Sequence, residues 1–190
     1  MFKFWKKKQG KTDSELDVVV RTLAEYLLSP SNLGEFRIKV KGLSKVISVE
    51  NLSELKGMFN EPPKESELFS TEKHGLGGWL SVCQFAILEL VYNLGPDALP
   101  FIREIAWGEY DWTQGNAIEL LIRFAADGVE PEEIKNEIKQ KFPRIRFEAQ
   151  LYAIQPLLSE IENDIKLKNI FYDLMEIEEF KEAYEELAEQ

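Results

Sequence analysis

From Trp79 onward the chain is cut at intervals by glycine and proline into segments the length of a helix, and this punctuation restricts the fold more than any other feature. Trp79 to Leu94 is the most apolar stretch and closes at Gly95. Pro96 then stands at a first helical position, where its missing N–H removes no hydrogen bond, and Ala98 to Trp107 continues that segment. Thr113 to Asp127 closes at Gly128, and Glu132 to Phe142 closes at Pro143. Arg144 to Ile161 follows, with Pro156 as the place for a bend or break. The remainder holds one or two acidic helices anchored by Ile165, Ile170, Phe171, Leu174 and Phe180. Apolar residues at helical spacing between such stops predict an all-α fold.

The segments also resemble one another. Ala86, Ala117 and Ala149 occupy equivalent places, 31 and 32 residues apart. Ala86 through Gly95 to Ile105 and Ala117 through Gly128 to Ile138 share one order: helix, glycine, short turn, second helix with Glu-Ile near its end. A small alanine lets neighbouring helices approach, and the glycine supplies the left-handed conformation that ends a helix. A period of this length predicts stacked antiparallel helical hairpins in a short solenoid; an ordinary helical bundle is the alternative.

The run GPDALPFIREIAW looks like one helix of a HEAT-type repeat, and YDWTQGNAIELLIRFAADG looks like its second helix. The resemblance is to segments of bacterial HEAT-like proteins and covers roughly residues 76–160. Such families serve as protein-binding scaffolds, and some bacterial helical-repeat proteins resemble immunity proteins that neutralise a toxin. The resemblance implies packing and a binding role; it carries over no catalytic residue.

The N-terminal part reads differently. Asp13 to Leu28 has Leu16, Val20, Leu23 and Leu27 at helical spacing, with Thr12 and Glu15 as a capping box and Pro30 as the stop. Glu35 to Lys41 alternates Phe36, Ile38 and Val40 with Arg37, Lys39 and Lys41, which is strand periodicity. A lone strand leaves backbone groups unpaired, so Lys45 to Val49 is the expected partner, giving a small β element near residues 35–49; an irregular helix is the other reading. Asn51 and Glu54 predict the cap of a short helix reaching Phe59, and Glu61 to Lys73, with Pro62 and Pro63, reads as a linker or exposed loop. The expected organisation is a basic leader over residues 1–12, a helical or irregular part over 13–74 and a helical array over 75–190, with 13–190 forming one continuous domain.

Charge narrows the function. The 190 residues carry 34 acids against 23 bases, a net of −11. Five lysines fall at Lys3, Lys6, Lys7, Lys8 and Lys11, so the other 18 bases face all 34 acids, a net of −16. A nucleic-acid binder must displace phosphate counterions with clustered bases, and residues 75–142 offer only Arg103, Arg123, Lys135, Lys139 and Lys141. A basic protein, by contrast, would be attracted and steered in. The single Cys83 excludes an internal disulfide and fits a reducing compartment. The apolar run Trp79–Leu94 is interrupted by Gln84, Glu89 and Asn93 and falls short of the ~20 residues that span a bilayer. Residues 1–11 lack the apolar run of a secretory signal, so a cytoplasmic protein is expected. That leader, with Phe2, Phe4 and Trp5 beside its lysines, has three readings: a solubilising tail, a contact with an anionic membrane surface, or docking on the acidic C-terminal part.

Two constellations are candidates for partner binding. Trp107, Glu109, Tyr110, Asp111 and Trp112 form a turn dense in aromatics and acids. Rings give large contact area at low entropy cost, and the acids would pair with a partner's Lys or Arg. The alternative is that the rings lock one hairpin onto the next. Asn116, Glu119, Arg123 and Asp127 are spaced by three, four and four, so they share one helix face, either a partner face or a solvated ladder. His74 in HGLGG and Cys83 nine residues later could form a nucleophile pair; a flexible helix entry and a small buried core residue are the alternatives. One histidine and one cysteine do not make a usual zinc site. No catalytic residue, metal or cofactor is expected. The expected function is a protein-binding module, in sharper form an immunity-type inhibitor of a basic toxin or nuclease. The enzyme alternative is a HEAT-like DNA base glycosylase using Trp107, Asp111, Trp112 and Arg123, which the acidic charge disfavours.

Overall fold

The first helix shows how local chemistry starts the fold. Ser14 Oγ accepts a hydrogen bond from the Asp17 N–H at 3.1 Å, and Asp17 returns one from the Ser14 N–H at 2.8 Å. That reciprocal box satisfies two N–H groups that a helix start otherwise leaves bare. Helix α1 (Glu15–Leu27) then buries Leu16, Val19, Val20, Leu23 and Ala24 on one stripe. The box expected from Thr12 and Glu15 is instead made two residues on, by Ser14 and Asp17; Thr12 lies outside the described residues. The computed structural model describes residues 14–28, 33–108 and 111–189.

Ten further helices follow: α2 (Leu33–Leu43), α3 (Leu52–Asn60), α4 (Thr71–His74), α5 (Gly78–Tyr92), α6 (Leu99–Ala106), α7 (Asp111–Ala126), α8 (Pro131–Lys141), α9 (Phe147–Ile154), α10 (Ile165–Leu174) and α11 (Glu178–Ala188). Short 3-10 stretches join several of them, and no strand is present among the described residues. The fold is all-α.

The β element expected near residues 35–49 is the main correction. Residues 35–41 lie inside α2, and Ser44–Val46 and Val49–Asn51 are 3-10 turns. A strand would have turned Phe36, Ile38 and Val40 to the same side. Instead Phe36 and Val40 are fully buried while Ile38 is 75% exposed, because residues four apart share a helix face and residues two apart do not. A helix satisfies its own backbone, whereas a strand here would have had no sheet to join. Asn51 also does other work than expected. Its side chain accepts from the Ser48 N–H at 2.8 Å, in the preceding turn, and makes no cap bond to α3.

Residues 61–70 are non-helical, but the segment is fastened. Trp79 Nε1 donates to the Pro63 carbonyl at 2.7 Å, and the Ser66 hydroxyl donates to Glu25 at 2.6 Å. Pro156 marks the expected break: α9 ends at Ile154 and Gln155–Ser159 is a 3-10 stretch. Gly95 and Gly128 both have positive φ, at 79° and 86°, in the region where a side chain would clash.

Helix α7 is the hub, packing on α5, α6, α8, α9 and α10. Its approach to α9 is close enough to require a glycine. A Cβ on Gly115 would fall 2.3 Å from the Ala149 carbonyl oxygen and 2.6 Å from Tyr152 Cβ. Ala86, Ala117 and Ala149 are all buried in α5, α7 and α9. One hydrophobic cluster runs from Leu16 in α1 to Ala183 in α11. Burial of that cluster supplies most of the driving force, at about 25 cal/mol per Å² of apolar surface.

Candidate functional site

The polar stripe of α7 does lie on one face, which is turned inward at Asn116 and Glu119, half-buried at Arg123 and exposed at Asp127, just past the helix. Glu119 is 1% exposed and Asn116 is buried beside it. Their surroundings come from elements that the sequence does not bring near each other. Glu89 enters from the middle of α5, itself 1% exposed amid an almost wholly apolar helix. Arg37 enters from α2.

Arg37 is the centre of this cluster. Its Nε pairs with Glu89 Oε1 at 2.9 Å and its Nη2 with Glu119 Oε1 at 2.7 Å, while Nη1 donates to Glu160, just beyond the 3-10 stretch after α9. One planar fork thus ties together α2, α5, α7 and the segment leading to α10. Arg123 backs it up, reaching Glu89 Oε1 at 2.8 Å and Glu119 Oε1 at 3.5 Å. The Arg123 guanidinium also lies 4.0 Å from the centroid of the Tyr92 ring, a cation–π contact. The Tyr92 hydroxyl donates in turn to Asp127.

Among the described residues, the carboxylates of Glu89, Glu119 and Glu160 share the two guanidinium groups of Arg37 and Arg123. Burial pushes the Glu119 carboxyl above the ordinary glutamate value of 4.5, against the pull of Arg123 and Arg37, and the neighbouring Glu89 adds to the rise. For Arg123, burial works downward, but Glu119 and Glu89 outweigh it and hold the guanidinium above its ordinary range. Burial likewise raises the Tyr92 phenol, with the Asp127 hydrogen bond adding to it and Arg123 opposing. Glu89 Oε2 and Asn116 Oδ1 are buried without a hydrogen-bond partner among the described residues. A cleft of about 220 Å³ opens beside the cluster, lined by Arg37, Tyr92, Arg123, Asp127, Glu160 and Asp164. Asp164 is fixed there as the cap of α10, accepting from the N–H groups of Lys166 and Leu167.

The aromatic turn sits elsewhere. Trp107, half-buried, donates from Nε1 to Glu137 Oε2 at 2.9 Å, and Lys141 Nζ lies 5.0 Å from its ring centroid. Both partners belong to α8, so Trp107 fastens the end of α6 to the next hairpin. Gln114 donates to the Gly108 carbonyl across the turn. Asp111 and Trp112 open α7; Glu109, Tyr110 and the side chains of Asp111 and Trp112 lie outside the described residues. Trp107 and Arg123 engage different helices, so the pair is not gathered into one pocket.

His74 stacks on Phe69, with ring centroids 5.7 Å apart. Cys83 is fully buried, and that burial pushes its thiol up to about 12 despite the nearby Arg21 charge. Such a thiol is a poor nucleophile at neutral pH. Among the described residues no group of three or more His, Cys, Asp or Glu side chains is placed to hold a metal ion, and no helix is long and apolar enough to cross a membrane.

Of the sequence candidates, the cluster takes in Glu119 and Arg123, with Asn116 alongside. It also contains Arg37, Glu89, Glu160 and Tyr92, which sequence reasoning passed over. Glu89 carried a signal: an acid in the middle of an apolar helix must find a cation. Arg37 was hidden by the strand reading, which set it, with Lys39 and Lys41, opposite the apolar Phe36, Ile38 and Val40. No family model matches the chain, and neither a curated protein nor a solved structure matches it. What fold and cluster together define is an all-α protein whose helical layers are joined by an ion network in the interior.

Proposed function

We propose that the chain is a protein-binding module with an acidic face, and that its partner is basic. The observation that supports this is how the charges are divided between inside and outside. Arg37 and Arg123 are committed to interior carboxylates, and Arg103 is held by Glu130 and Glu137 at 2.8 and 2.9 Å. On α11 and its C-terminal cap, by contrast, Glu178, Glu182, Glu185, Glu186 and Glu189 are exposed, with Lys181 as the lone base of that helix. Carboxylates presented in this way favour Lys- and Arg-rich surfaces and repel a phosphate backbone.

In its sharper form the module is an immunity-type inhibitor whose acidic face occupies the basic cleft of a toxin or nuclease. Purification from the cells that make it, at low and at moderate salt, is expected to bring down one basic protein in stoichiometric amount. Recovery of none at either salt would count against the reading. Rim ion pairs should make the complex weaken as salt rises. The glycosylase alternative gains no support from the placement of Trp107 and Arg123, and a tight low-salt complex with duplex DNA would restore it.

A further inference from the structure

The way Arg37 is held has a consequence for what the molecule can bind. Each of its three guanidinium nitrogens faces a different carboxylate, from Glu89, Glu119 and Glu160. A planar fork satisfied on all sides is the geometry that selects guanidinium over ammonium. The socket is built from rigid parts, since Glu89 and Glu119 belong to α5 and α7 at the centre of the core. It also has capacity to spare: among the described residues Glu89 Oε2, in the same carboxylate that holds Arg37, is buried without a hydrogen-bond partner. The plug is less firmly seated than the socket. Helix α2 fully buries only Phe36 and Val40, with Leu33 and Leu43 half-buried at its two ends, and the cleft beside Arg37 gives solvent access to Glu160.

We infer that Glu89, Glu119 and Glu160 form a guanidinium-binding site, which Arg37 fills from within the chain and which an arginine side chain of another molecule can take over when α2 lifts. This deepens the binding reading by naming the chemical group recognised. It rests on that reading only for the source of the arginine; the site itself stands on the geometry of the three carboxylates.

The test is chemical rescue in the full chain. Arg37→Ala is expected to lower the thermal midpoint by roughly 10 °C. Methylguanidinium should then raise that midpoint by roughly 4 °C at about ten times its dissociation constant. Methylammonium at equal ionic strength should not, and neither ion should stabilise the wild-type chain. Adding Glu160→Gln to Arg37→Ala should weaken the rescue. Equal effects of the two cations, or no effect of either, would overturn the site. Should Arg37→Ala fail to fold, methylguanidinium present during refolding is expected to restore a cooperative transition, and failure to do so counts in the same way. Takeover is read in the wild type by amide hydrogen exchange. Argininamide should speed exchange across residues 33–43 and leave 111–126 unchanged, whereas an unaltered α2 would refute displacement. A guanidinium site without a basic partner, or a partner without rescue, separates this inference from the binding reading.

Discussion

Arg103 and Arg123 are the same chemistry in two settings. Each is an arginine shared by two glutamates, one set at the outer edge between α6 and α8 and the other between α5 and α7. Arg103 is 26% exposed and its partner Glu130 48%, whereas Arg123 is 12% exposed and both of its partners 1%. Distances hardly differ, at 2.8 to 2.9 Å for the closest contacts. Solvent decides what those distances mean. Water screens the outer set and competes for it, so such pairs contribute about 0.2–1 kcal/mol. In the inner set the cleft reaches only the Arg123 side, and the Glu89 and Glu119 carboxylates are shut off from water. Forming it is not obviously stabilising, since desolvation offsets the attraction, but removing one member leaves a buried charge uncompensated.

The largest expected effect follows from that asymmetry. Arg123→Ala should cost about 3–5 kcal/mol in denaturant unfolding, because Glu119 and Glu89 lose a partner that Arg37 alone cannot replace. A loss below about 1 kcal/mol would mean that water enters the cluster freely. Next comes Gly115→Ala, with a cost of about 1–3 kcal/mol from overpacking against the α9 backbone. It should displace α9, and with it the segment carrying Glu160, so it disturbs the inner set and spares Arg103. Chemical shifts or exchange rates on α2 and on α8 would tell the two apart.

Glu119→Gln sharpens the comparison through pH. The folded-state value of Glu119 lies above its ordinary 4.5, so the native protein binds this proton more tightly than the unfolded chain does. Its contribution is therefore fully present below the unfolded value and is lost as pH rises through the folded one. The stability difference between wild type and Glu119→Gln should move in favour of the variant from about pH 4.5 upward. Movement in the other direction would show that the two arginines outweigh burial. The smallest effect belongs to Arg103→Ala, at about 1 kcal/mol or less in the same unfolding assay. The loss is limited because Glu137 retains the Trp107 hydrogen bond.

Much of the fold is legible in the sequence because its stops are local. Gly95, Gly128 and Pro156 act through their own backbone, so the ends of α5, α7 and α9 can be read from composition alone. The N-terminal part fails that test. Phe36 and Val40 fit a helix face as well as alternate strand positions, and only the absence of a sheet to join makes the helix. The cluster was half legible for a related reason. Spacing puts Asn116, Glu119 and Arg123 on one face, but the direction of that face depends on Arg37, 82 residues away from Glu119, and on Glu89. Gly115 likewise looks unremarkable until Ala149 and Tyr152 arrive against it.

The most direct measurement is a pair of double-mutant cycles by denaturant unfolding, one on Arg37 and Glu119 and the other on Arg103 and Glu137. The inner pair is predicted to couple by at least about 1.5 kcal/mol and the outer pair by less than about 0.5 kcal/mol. Additive losses at Arg37 and Glu119, or coupling of the same size in both cycles, would contradict an interior network that joins the helical layers.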